Sequence, residues 1–100
     1  MAQTKRIGSM ERRLERTTAA VKHLLEALDQ YTEVQDDIQE LETYYGSDLW
    51  KQDFDDDTQG RLPQDLKRGV LSEDAIWNLL SDIHEVKTQM LTLVTENQRQ

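Results

Sequence analysis

Between Tyr44 and Trp77 the chain reads YYGSDLWKQDFDDDTQGRLPQDLKRGVLSEDAIW. This stretch gathers both tryptophans, the only phenylalanine, two of the three tyrosines, the only proline and three of the four glycines. Punctuation of that density marks a connection, because glycine and proline break regular structure and aromatic side chains need something to pack on. Within it, Ser47 is placed to cap a short helix over about 48–56, with Asp48 favouring the helix dipole and Leu49, Trp50 and Phe54 sharing an apolar face. Pro63 suits the first turn of a second short helix over about 63–68, closed by Gly69. Ser72-Glu73-Asp74 is a helix start, a hydroxyl cap followed by two acids.

Outward from this connection lie two long helical patterns. Upstream, Met10, Leu14, Thr17, Val21, Leu24, Leu28, Tyr31, Val34, Ile38, Leu41 and Tyr45 recur every 3 or 4 residues, the period of a coiled-coil seam. Ser9 is a fair N-cap and Gly46 stands where a left-handed C-cap is wanted, so the pattern predicts one helix over about 9–45. Residues 1–8, polar and containing Gly8, are expected to form a flexible tail. Downstream, Ile76, Leu79, Leu80, Ile83, Val86, Met90, Leu93 and Val94 make a wider stripe and predict a helix over about 73–96, with Trp77 and Leu91 beside it. With no strand pattern anywhere, the expected fold is all-α: a single domain over 9–100 with two long antiparallel helices, a coiled-coil-like hairpin, joined by a connection with two short helices.

The lengths of these helices do not match, about 55 Å against about 36 Å at the standard rise. The seam at the Met10–Val21 end therefore needs another cover, which favours a second chain and a homodimer. Met10, Leu14, Val21, Leu24 and Leu28 are the expected self-association residues.

Composition narrows the function classes. One hundred residues make a modest core, and 36% apolar with 32% charged residues suits paired helices that share one seam. There is no cysteine, so disulfides, thiolate nucleophiles and cysteine metal sites are excluded. No apolar run approaches the ~20 residues of a membrane span and no apolar leader opens the chain, which predicts a cytoplasmic protein with no membrane partner. Residues 1–16 carry five basic and two acidic groups, net +3; residues 17–60 carry two and twelve, net −10; residues 61–100 carry five and six, net −1. An acidic middle repels phosphate and argues against direct nucleic-acid binding. Arg12, Arg13 and Arg16, interleaved with Glu11 and Glu15, read as a solvated helix face.

The central residues also carry a resemblance. Tyr44-Tyr45-Gly46-Ser47, Trp50 and Asp53, then Leu62-Pro63, Asp65-Leu66, Arg68-Gly69-Val70-Leu71-Ser72-Glu73-Asp74-Ala75 and Leu79-Leu80, resemble the small bacterial family catalogued as domain of unknown function 4298. The resemblance covers about residues 10–94, is most specific at Arg68–Ala75, and leaves residues 1–9 as an extension. It implies an all-helical bacterial cytoplasmic protein and brings no catalytic residues with it.

Several motifs that invite a functional reading have plainer structural roles. Starting at Asp55, the run Asp55, Asp57, Gln59, Gly60 and Leu62 imitates an EF-hand loop, but position 12 is Leu66 instead of a bidentate Glu and Pro63 interrupts it, so a solvated acidic turn is expected. His23 and His84 lack a ligand at i+4 and read as surface residues. Ser47 and Ser72 are explained by capping. No catalytic residue, cofactor or metal is expected. The set Tyr44, Tyr45, Trp50, Asp53, Asp65, Arg68, Asp74 and Trp77 is the candidate network, with an Arg68–Asp53 or Arg68–Asp74 pair pinning the connection or forming a partner site.

Three functions follow as expectations. The first is a non-enzymatic acidic helical interaction module, self-associating and with an unidentified protein partner. The second is an acidic decoy occupying a nucleic-acid-binding groove on another protein. The third is a small ligand- or metal-binding protein built round Asp53, Arg68 and Tyr45.

Overall fold

A computed structural model describes residues 1–98. The fold is all-α: helices α1 (Ala2–Glu33), α2 (Gln35–Tyr45), α3 (Asp48–Thr58) and α4 (Ala75–Gln98), with a 3-10 turn at Gly69–Leu71 and no strand among the described residues. The single domain expected over 9–100, whose last two positions lie outside the described residues, is instead two compact units, Met1–Asp37 and Ile38 onwards.

In the first unit, α1 begins at Ala2, so the expected tail is helical. Good helix formers at Ala2, Gln3, Lys5 and Arg6 outweigh the roughly 1 kcal/mol that Gly8 costs. Ser9 is therefore an interior residue and no cap; its hydroxyl accepts a hydrogen bond from Arg13 Nη1, one turn on.

The expected helix over 9–45 is divided at Val34. Val34 N–H bonds Tyr31 O at 3.3 Å, and the side-chain amide Nε2 of Gln35 donates to the same carbonyl at 2.8 Å. In an unbroken helix that carbonyl would accept the Gln35 backbone N–H. Two other donors occupy it, and α2 starts afresh with Asp36 and Asp37 in its first turn, where the dipole favours them.

Exposure changes along the seam. Met10, Leu14, Val21, Leu24 and Leu28 are 56%, 60%, 52%, 56% and 37% exposed. Further along, Tyr31, Ile38, Leu41 and Tyr45 are half-buried, while Val34 is 40% exposed.

In the second unit α2 hands over to α3 through Gly46 and Ser47. Gly46 does not adopt the left-handed conformation expected of it; among the described residues only Gly60, at φ +70°, has positive φ. Gly60 closes α3 by a Schellman motif, its N–H bonding Asp57 O at 3.0 Å and Arg61 N–H bonding Asp56 O at 2.9 Å. Ser47 caps α3 as expected, accepting from Trp50 N–H at 3.3 Å. The acids Asp55, Asp56 and Asp57 fall inside α3, which runs two residues further than expected, so no calcium-type loop is formed there.

The helix expected over 63–68 is absent. Leu66 N–H makes one turn bond to Pro63 O at 3.3 Å, while Arg68 Nη2 donates to Gln64 O at 3.3 Å. That is the carbonyl which the Arg68 backbone N–H would take in a helix, and the side chain takes it instead. The chain coils once at Gly69–Leu71, in contact with both α3 and α4.

Ser72 Oγ accepts from Ala75 N–H at 3.1 Å, so the serine caps the start of α4 although helical bonding begins at Ala75, two residues after the expected start. Leu71, 5% exposed, and Ile76, 2% exposed, are the buried apolar side chains among the described residues. Leu80, Ile83 and Met90 continue the covered face of α4, half-buried.

Candidate functional site

Side chains of α2, α3 and the 3-10 turn are joined at one corner of the second unit. Its aromatic side chains form a ladder: Tyr45 meets Trp50 edge-on, centroids 5.1 Å apart and planes at 73°, and Trp50 stacks on Phe54 at 5.2 Å and 23°. Such pairs contribute about 0.5–1.5 kcal/mol beyond their buried area. The spacing Trp50–Phe54, one helical turn, makes the stack a local consequence of α3.

Polar bonds fasten the ladder. Trp50 Nε1–H donates to Val70 O at 3.0 Å, tying the 3-10 turn to α3 across twenty residues of chain. The Tyr44 hydroxyl donates to Asp53 Oδ2 at 2.6 Å, tying α2 to α3. Burial, then the hydrogen bond to Asp53, then that carboxylate's charge, push the Tyr44 phenol up to about 12. Ser47 adds a second link, its Oγ donating to Tyr44 O at 2.6 Å.

Arg68 pairs with neither Asp53 nor Asp74. Its Nη1 lies 2.9 Å from Asp57 Oδ1, both side chains about one-third exposed. Asp53 is already engaged by Tyr44, and Asp57 sits one helical turn further along α3, beside the returning chain. A second pair, Arg61–Asp56 at 3.1 Å, lies further out, with Arg61 63% exposed.

Of the expected network, Tyr44, Tyr45, Trp50, Asp53 and Arg68 therefore come together at this corner. Asp65 and Asp74 are exposed, with no side-chain bond among the described residues, and Trp77 is 60% exposed on α4. Leu49 is also exposed, at 64%, instead of packing beside Trp50 and Phe54. The residues not foreseen are Asp57 and the Val70 carbonyl. Both pairings depend on how the loop 59–68 returns, which no residue periodicity encodes.

The polar groups of the corner are engaged with one another: phenol with carboxylate, indole with carbonyl, guanidinium with carboxylate and carbonyl. Asp53, Arg68 and Tyr45 each have a different partner and do not converge on a common point. Among the described residues no group of three or more His, Asp or Glu side chains is placed to hold a metal ion, and His23 and His84 are both exposed. The geometry is that of a clasp that holds α2, α3 and the start of α4 in one unit.

The family model described as Domain of unknown function (DUF4298) matches residues 7–93. The match begins three residues nearer the N-terminus than the resemblance alone and ends one residue sooner. No curated protein and no solved structure matches the chain. With the clasp residues and most of both long helices inside the match, the chain belongs to the DUF4298 family, a domain of unknown function.

Proposed function

We propose that this chain is a non-enzymatic, acidic helical interaction module of the bacterial cytoplasm that pairs with a second copy of itself and serves a further protein partner. The observation that carries this is the exposed seam on α1: Met10, Leu14, Val21, Leu24 and Leu28 follow one helix face and are 37% to 60% exposed. Contiguous apolar surface of this kind mostly marks an interaction site. The buried core among the described residues, Leu71 and Ile76, is small for a chain of this length, and pairing would add burial on α1, where no residue is buried. No helix among the described residues is long and apolar enough to cross a membrane.

Sedimentation equilibrium across concentration, at low and high salt, tests this. A dimer at both salts is the expected result, because an apolar seam is insensitive to screening. A strict monomer at high concentration overturns self-association. The acids Asp36, Asp37, Glu40, Glu42, Asp48 and Asp55, all exposed on α2 and α3, favour a second reading as a decoy for a basic groove. Salt-sensitive binding to a basic protein, by an otherwise monomeric chain, would select it.

A further inference from the structure

We infer that Ser9, Arg12, Arg13 and Arg16 of α1 form a binding site for a phosphate monoester, an oxyanion held there by side chains alone. The inference does not rest on the self-association proposed above, because the site lies about a third of a turn round the helix from the seam.

Across residues 1–30 every residue is exposed except Gly8 and Ser9, which are half-buried. Arginines cover them. Arg12 Nη1 reaches back one turn and lies 3.7 Å from where a Cβ on Gly8 would stand. Arg13 Nη1 reaches back equally far, donating to Ser9 O at 3.3 Å and to the Ser9 hydroxyl. Side chains on a helix lean towards its N-terminus, so an arginine folds over the residue one turn earlier. Arg16 stands one turn further on and completes a shallow, open depression lined by Ser9, Arg12, Arg13 and Arg16, with no carboxylate in it.

Glu11 and Glu15 interleave with these arginines in the sequence but not on the helix. At 3.6 residues per turn both acids project roughly 100° or more away from the centre of the depression. Glu11 has no base three or four residues away, and Glu15 has only Arg12. Among the described residues the ion pairs are Arg61–Asp56 and Arg68–Asp57, so none of the three guanidiniums has a carboxylate partner. They neighbour one another instead, Arg12 and Arg16 at i, i+4 and Arg13 and Arg16 at i, i+3, placements of like charge that destabilise a helix.

The number of charges selects the ligand. One carboxylate would balance one of three guanidiniums. A phosphate monoester brings a charge of about −1.5 to −2 at neutral pH and three acceptor oxygens on one phosphorus. Guanidinium forks match such oxygens in pairs. The backbone adds nothing, because α1 begins at Ala2 and the N–H groups around the site are bonded within the helix. A phosphodiester chain, with one charge per group, calls for a longer basic track than this, and the net −10 over residues 17–60 repels it.

The test is a nuclear magnetic resonance titration of the isotope-labelled full chain with phenyl phosphate, and with benzoate at matched ionic strength. The expected result is saturable shifts at Ser9, Arg12, Arg13 and Arg16 with phenyl phosphate and none with benzoate. Arg12→Gln and Arg16→Gln, which keep a good helix former, should each weaken binding at least tenfold. Lys22→Gln removes the same charge from another face of α1 and should leave binding unchanged. Equal shifts with benzoate, no saturable shift, or an equal loss in Lys22→Gln overturns the inference. A phosphoserine peptide then separates the sources: tighter binding than phenyl phosphate marks a phosphorylated protein, equal binding a small phosphorylated ligand, and both support the site. A thymidine oligonucleotide that binds more tightly than either would assign the face to a diester backbone and overturn it.

Discussion

The left-handed cap expected at Gly46 is found at Gly60. Gly60 holds φ +70°, a conformation that costs an L-residue about 1 kcal/mol or more. Gly46 does not, and a Cβ there would meet Glu42 O at an ordinary 3.7 Å. Gly60→Ala should therefore lower stability by about 1 kcal/mol, and Gly46→Ala should leave it unchanged or raise it by about 0.5 kcal/mol. Urea denaturation of the two variants decides the matter; equal losses would contradict the assignment. At Tyr44 the consequence is one of pH. Its phenol titrates near pH 10 when unfolded and about 12 when folded. Because the folded value is the higher, its contribution to stability is complete below pH 10 and is lost as pH rises towards 12. Tyr44→Phe should remove that alkaline decline while costing about 1 kcal/mol at neutral pH, as measured by denaturation at pH 8 and pH 11.

At the scale of elements, Trp50 joins α2, α3 and the 3-10 turn by two ring contacts and one hydrogen bond. Trp50→Ala should cost about 3 kcal/mol and loosen the turn Gly69–Leu71 from α3, visible as lost near-ultraviolet dichroism and lost amide protection at Leu71. Arg68→Ala removes a pair about one-third exposed and should cost about 1 kcal/mol or less. The helices themselves were legible in the sequence because seam spacing and the Ser47 and Ser72 caps are local signals. The break at Val34 and the missing helix over 63–68 were not, and for one physical reason. In each, a side-chain donor (Gln35 in one, Arg68 in the other) takes a carbonyl that the backbone would have taken. Propensity scales give no weight to such a competition. The clasp was foreseen as a set of residues around Tyr44, Trp50 and Arg68, but Asp57 was indistinguishable by sequence from Asp55 and Asp56 until α3 gave it a direction.

For the whole molecule, Leu14→Asp and Leu24→Asp place a charge on the seam without touching the clasp. Each should abolish self-association in sedimentation experiments while leaving the Trp50 environment unchanged. Retained dimers in both variants would move the interface off α1. The unsubstituted protein should also melt at a temperature that rises with protein concentration, since a dimer gains stability by mass action.

Among the described residues, contacts between separate elements run through the 3-10 turn, which touches α3, some twenty residues back in the chain at Trp50, and α4, which follows it. Almost everything else a residue contacts lies within its own helix or the next turn. A chain so connected has little loop-closure entropy to overcome before native contacts form, and chains of this kind fold in microseconds to milliseconds. If two copies then come together along α1, their encounter is the slow event. The refolding trace of a dilute sample should show a rapid first-order phase, followed by a second-order phase whose rate scales with chain concentration.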